Sequence, residues 1–194
     1  MASGRQQVQV RYVDADARNR LRAVFENLEA DLKIDGIGVV LTTAVPELVE
    51  NAVKANLKRA FFSKNTYNFE DPTSYTAGIE SFVKSYPDIR QGHYDSALKD
   101  LELVVSVQVD YNDHRLLVYA ENNAVLVSQE EIRIRKQLAA AMLSDKIAEF
   151  YVQYGDETEG SGLGLAMIVV LIRNLGFDAH NFRVFQKDNR TIAR

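Results

Sequence analysis

Between Leu101 and Ala120 the chain alternates in hydrophobicity with a period of two, turns, and comes back. Leu101, Leu103, Val105, Val107 and Val109 share one side, the turn-forming stretch Asp110 to His114 follows, and Arg115 to Ala120 returns as a second strand. A hairpin with one buried face satisfies that pattern, because successive strand side chains point to opposite sides of a sheet. The rest of the chain must then supply something to cover that face.

The flanking segments supply it with helical spacing. Val8, Val10 and Tyr12 alternate with polar residues as a half-buried strand, after which Asp14 or Asp16 can cap a helix whose stripe is Leu21, Val24, Phe25, Leu28 and Leu32. Gly36 and Gly38 break that pattern, and a second helix is expected from about Val45 to Phe62, with Pro46 near its start, where a missing donor costs little. From Ser63 to Lys99 the composition is rich in Asn, Ser, Asp, Tyr and Pro, which reads as a long excursion with one helix around Ser74 to Tyr86. Ser128 and Glu131 have the spacing of a capping box that opens a helix running to about Phe150. The stretch Gln153 to Gly162 has the composition of a mobile loop. A helix from about Leu163 is stopped by Gly176, and Val184 to Ala193 reads as a terminal hairpin about Lys187-Asp188-Asn189.

A length of 194 residues with 46% hydrophobic content suits one domain, residues 1–194, that can bury a core without staples. The absence of cysteine excludes disulfides, zinc thiolate sites and a thiol nucleophile, and the three histidines lie too far apart for a sequence-local metal site. Charges of both signs are interspersed to a net of −4, with no basic block to follow a nucleic-acid backbone, so nucleic acid is not an expected partner. Neither a secretory leader nor a membrane segment is apparent, which makes a cytoplasmic location the default expectation.

Two groups of residues can carry chemistry. The run Gly160-Ser161-Gly162-Leu163-Gly164-Leu165 opens a helix, and a helix start offers unpaired amides and a positive dipole end that glycines leave accessible to an anion. Neither Lys-Ser nor Lys-Thr follows the glycines and no strand precedes them, which sets aside the P-loop and the dinucleotide fold. The second group is Glu47, Asn51 and Lys54, which spacings of four and three place on one helix face opposite the apolar stripe. Such a face is either solvated or a site. An Asn carbonyl is a hard ligand suited to Mg²⁺, and a carboxylate one turn earlier can take a proton.

Together these residues resemble the histidine-kinase-type ATPases, the superfamily that includes type II topoisomerase and mismatch-repair ATPase domains. Glu47-Leu48-Val49-Glu50-Asn51-Ala52-Val53-Lys54-Ala55 is similar to the family's N box, and Gly160 to Leu165 followed by Ala166 to its second glycine box. The resemblance covers about residues 45–194, with an insertion at about 63–99. It implies an α+β fold, a two-layer α/β sandwich whose mixed, mostly antiparallel sheet is covered on one face by helices. It also implies ATP and Mg²⁺ as cofactors. Asn51 would bind the metal, Lys54 and the neighbouring Ala55 would lie by the nucleotide, Glu47 would be the general base, and the second glycine box would cradle phosphates below a lid at Gln153 to Gly162.

Between the two boxes the family has a strand ending in Asp-x-Gly-x-Gly, whose Asp reads adenine. Here the matching stretch is Glu121-Asn122-Asn123-Ala124-Val125. Glu121 takes the Asp position, and both glycines are replaced. Asn123 tolerates a positive φ that a turn would ask of it, whereas the β-branched Val125 resists one. None of His93, His114 and His180 has the His-Glu context of a phosphoacceptor. The resemblance therefore implies an ATP-binding signalling domain of the two-component kind that phosphorylates or regulates a separate protein partner. The alternative is a degenerate, non-catalytic module that keeps the fold and binds nucleotide weakly or not at all.

Overall fold

The computed structural model describes residues 3–32, 37–112, 114–144, 150 and 163–194. Strand β1 (Gly4–Val10) leads into helix α1 (Ala15–Leu32), which is capped by Asp14, whose carboxylate accepts the Ala17 N–H at 2.7 Å. Helix α2 (Ile37–Lys64) follows, then α3 (Pro72–Asp88), a π turn (Ile89–His93) and the short α4 (Asp95–Asp100). The hairpin β2 (Val105–Asn112) and β3 (Arg115–Asn122) precedes α5 (Ser128–Leu143) and α6 (Leu163–Asn174), and the described chain closes with the hairpin β4 (Val184–Lys187) and β5 (Arg190–Ala193).

The five strands form one open sheet in the order β1-β2-β3-β5-β4. Every pairing among the described strands is antiparallel, so the mixed sheet expected from the resemblance is here an antiparallel one. Val105, Val107 and Val109 lie opposite Asn122, Ala120 and Val118, and this face is buried beneath the helices. The alternate residues Ser106, Gln108 and Asp110 make a polar face, where Gln108 and Asp110 take up Arg5 of β1. The result is an α+β arrangement of a sheet with helices on one side.

Helix α2 is the axis of the core. Leu41, Val45, Val49, Val53 and Leu57 join α1 and β2 in one buried cluster, while Ala44 and Leu48 join Ala166, Ile168 and Val169 of α6 in a second. Those two apolar stripes override the expected break, so the helix begins eight residues earlier than predicted, and Gly38 and Pro46 both lie inside it. Gly36 lies outside the described residues.

The 63–99 segment is more ordered than its composition predicts. Asp71 caps α3 by accepting the Ser74 N–H at 2.6 Å, with Pro72 at the first helical position. Aromatic packing then seats α3 on α2. Phe62 stacks on Phe69 at 4.1 Å, Phe61 meets Phe82 edge-on at 5.6 Å, and a Cβ on Gly78 would come within 2.5 Å of the Phe62 ring.

Three boundaries shift for local reasons. Leu101 ends α4, donating its N–H to the Ala97 carbonyl, and β2 starts only at Val105. In α5, Ser128 is the first helical residue and not the cap. Glu130, rather than Glu131, reaches back to the Val127 N–H at 3.4 Å. That helix ends at Leu143, and the expected continuation through 145–149 lies outside the described residues. At the terminal hairpin Asp188 and Asn189 both take positive φ, 50° and 59°, the geometry of a two-residue turn that matches strand twist.

Candidate functional site

A cavity of about 330 Å³ opens between α2, the start of α6, α5 and the ends of β3 and β5. Its α2 wall is the polar face set by spacings of three and four: Glu47, Asn51, Lys54 and Ala55, continued by Lys58 and Arg59. Leu163, Gly164 and Leu165 line the opposite side. The structure thus brings the two sequence-distant groups together. Gly160, Ser161 and Gly162, with the rest of the expected lid Gln153 to Gly162, lie outside the described residues.

Contact between the two groups is direct. A Cβ on Gly164 would come within 2.5 Å of Glu47 Cγ, with the carboxylate closer still, so any larger residue here would have to displace the Glu47 side chain. Asn51 donates from Nδ2 to Glu47 Oε1 at 3.1 Å, which leaves the carbonyl oxygen on the other branch of the amide. Lys54 sits over the ring of Tyr86, its Nζ 5.3 Å from the centroid.

Glu121 and Asn123 do not line this cavity. Strand alternation turns Ala120 and Asn122 toward it and Glu121 to the opposite face, where Arg190 of β5 pairs with its carboxylate. Asn123 is spent on the loop before β2: its side chain accepts the Val104 N–H at 2.9 Å and donates to the Glu102 carbonyl at 2.7 Å. Neither Asn123 nor Val125 has a positive φ, so the strain expected at Val125 does not arise. The polar group that β3 offers to the cavity is Asn122, 3% exposed, which donates to Asn56 Oδ1 of α2 at 3.1 Å. Thr191, its neighbour on β5, also lines the space.

Beyond Lys54 the cavity is walled by a buried ion cluster. Glu130 of α5 accepts from Lys58 at 2.8 Å and from both terminal nitrogens of Arg59, at 3.0 and 2.5 Å. Burial alone would push the Glu130 carboxyl up, but the Arg59 hydrogen bonds and the Lys58 charge together outweigh it and hold it down at about 2. Arg59 also donates to the Val125 carbonyl at 2.6 Å and stacks on Phe69, 4.3 Å from the ring centre. Glu130 thus pairs with two adjacent cations.

Sequence reasoning missed Tyr86, Asn122 and the Lys58-Arg59-Glu130 cluster. Lys58 was reachable, being the next residue on the Glu47-Asn51-Lys54 face; Tyr86 carries no local signal, since only the packing of α3 brings it there. Among the described residues there is no group of three or more His, Asp or Glu that could hold a metal by itself, and no helix is long and apolar enough to cross a membrane.

No protein-family model matches this chain, and no solved structure matches it. Over 155 residues, 79% of its length, the chain is 30% identical to an uncharacterized protein of Treponema pallidum (strain Nichols). The chain spans about 30% of the length of that relative.

Proposed function

We propose that the chain is an ATP-binding domain of the histidine-kinase type, with the corresponding sandwich fold, and that it acts in signalling by phosphorylating or regulating a separate protein. The observation that carries the proposal is the meeting of Glu47, Asn51 and Lys54 with Leu163, Gly164 and Leu165 around one cavity. Nothing in local folding requires these segments to share a wall.

In this reading Asn51 contributes a carbonyl oxygen to Mg²⁺, and Lys54 neutralises phosphate charge. The α6 start offers its amides to phosphate, and Glu47, held by Asn51, polarises the attacking group. Base recognition falls to Asn122 rather than Glu121. A buried amide can match the donor and acceptor of the adenine edge together, whereas Glu121 is committed to Arg190 across the sheet.

One observation favours the second reading, a non-catalytic interaction module. The turn after β3 is tied down by protein groups, through Arg59 on the Val125 carbonyl and Asn123 on the β2 loop. Thermal denaturation with increasing Mg-ATP separates the two. A nucleotide that binds the folded state at a hundred times its Kd raises stability by about 2.7 kcal/mol. The ATP site predicts a rising Tm, with Asn51→Ala abolishing its Mg²⁺ dependence. An unmoved Tm at millimolar nucleotide would refute it.

A further inference from the structure

We infer that the 63–99 insertion is a working part of the same cavity, with Tyr86 as a positioning residue that holds Lys54 for a polyphosphate; this rests on the ATP reading. The insertion is anchored where it meets the site. Arg90, on the turn after α3, pairs with Glu50 of α2 at 3.3 Å, and Arg18 of α1 holds the same carboxylate at 3.4 Å. Arg90 also lies over the Tyr86 ring, 5.7 Å from its centre. The ring is therefore anchored to the Arg90–Glu50 pair, half-buried, and it lines the cavity directly.

Two cavity-lining cations of α2 rest on rings of this one segment, Lys54 on Tyr86 and Arg59 on Phe69. A lysine has four rotatable bonds, so an aromatic face beneath its ammonium narrows the positions it samples before any ligand arrives. An excursion built only to cover apolar surface has no need to place its rings under the cations of a neighbouring cavity. The chemistry recognised is that of a polyphosphate, since the contact acts through a cation and leaves the Asn122 end of the cavity untouched.

The test measures affinities of the full chain for Mg-ATP, Mg-tripolyphosphate and adenosine in Tyr86→Phe, Tyr86→Leu, Lys54→Met and the Tyr86→Leu/Lys54→Met pair. Tyr86→Phe keeps the ring and should stay within about twofold of the parent. Tyr86→Leu should weaken Mg-ATP and tripolyphosphate by about tenfold, the scale of a partly desolvated cation–π contact, and leave adenosine unchanged. The double variant should be no weaker than Lys54→Met alone, because the ring acts through the lysine. Equal loss for adenosine and ATP, full additivity in the double variant, or no loss in Tyr86→Leu overturns the inference while the ATP reading stands. A parent chain that binds none of the three probes overturns the reading and the inference together.

Discussion

Replacing Glu130 with Gln removes the carboxylate that pairs with two adjacent cations beside the cavity. The Glu130 side chain is 7% exposed, and that of Lys58 is 6% exposed. A carboxyl held at about 2 instead of its ordinary 4.5 contributes roughly 3 kcal/mol to stability, at about 1.4 kcal/mol per pH unit. Because the folded state lowers the value, that contribution is present above pH 4.5 and is lost as the pH falls from there toward 2. Glu130→Gln also takes the carboxylate away from the buried Lys58 and Arg59 cations, so its expected cost at pH 7 is about 3 to 5 kcal/mol. Urea unfolding followed by circular dichroism at pH 7, 4 and 3 reads both effects. The parent should lose stability steeply between pH 4.5 and 3 while the variant, already without the carboxylate, declines less, so that the gap narrows. Parallel pH profiles, or a gap at pH 7 below about 1 kcal/mol, typical of exposed pairs, would show that Glu130 does not stabilise the fold through these cations.

Gly164→Ala should destabilise the fold by about 1 to 3 kcal/mol, because its Cβ meets Glu47, and Glu47→Ala should recover part of that loss when combined with it; additive losses in chemical denaturation would contradict the contact. Asn123→Ala should cost about 1 to 3 kcal/mol in the same assay through the Val104 N–H left without its acceptor, and leave nucleotide affinity unchanged; a selective loss of affinity would return Asn123 to the site. In equilibrium titrations Asn122→Ala should weaken Mg-ATP at least tenfold while Glu121→Gln leaves it within about twofold, and the reverse order would reinstate Glu121 as the base reader.

Elements whose partners are close in sequence were legible before the structure. The β2–β3 and β4–β5 hairpins, an aspartate cap at 14 or 16 that falls to Asp14, and the stop at Gly176 all rest on local turn and cap chemistry. What escaped depends on distant contacts. The early start of α2 comes from two cores meeting on one helix, and the order of the 63–99 segment from rings that find partners only after folding. The site divides the same way. Helical spacing alone put Glu47, Asn51 and Lys54 on one face, whereas the choice between Glu121 and Asn122 turned on where β3 sits in the sheet. Alternation guarantees that neighbours point apart; only the pairing says which of them meets the cavity.

The central claim is that the cavity between α2 and α6 holds Mg-ATP, and amide chemical-shift mapping of the labelled chain during a Mg-ATP titration tests it most directly. Saturable shifts should concentrate at Asn51, Lys54, Asn122, Gly164 and Leu165, with the polar sheet face around Gln108 and Glu121 unmoved. Shifts that never saturate, or that gather away from those residues, would contradict it.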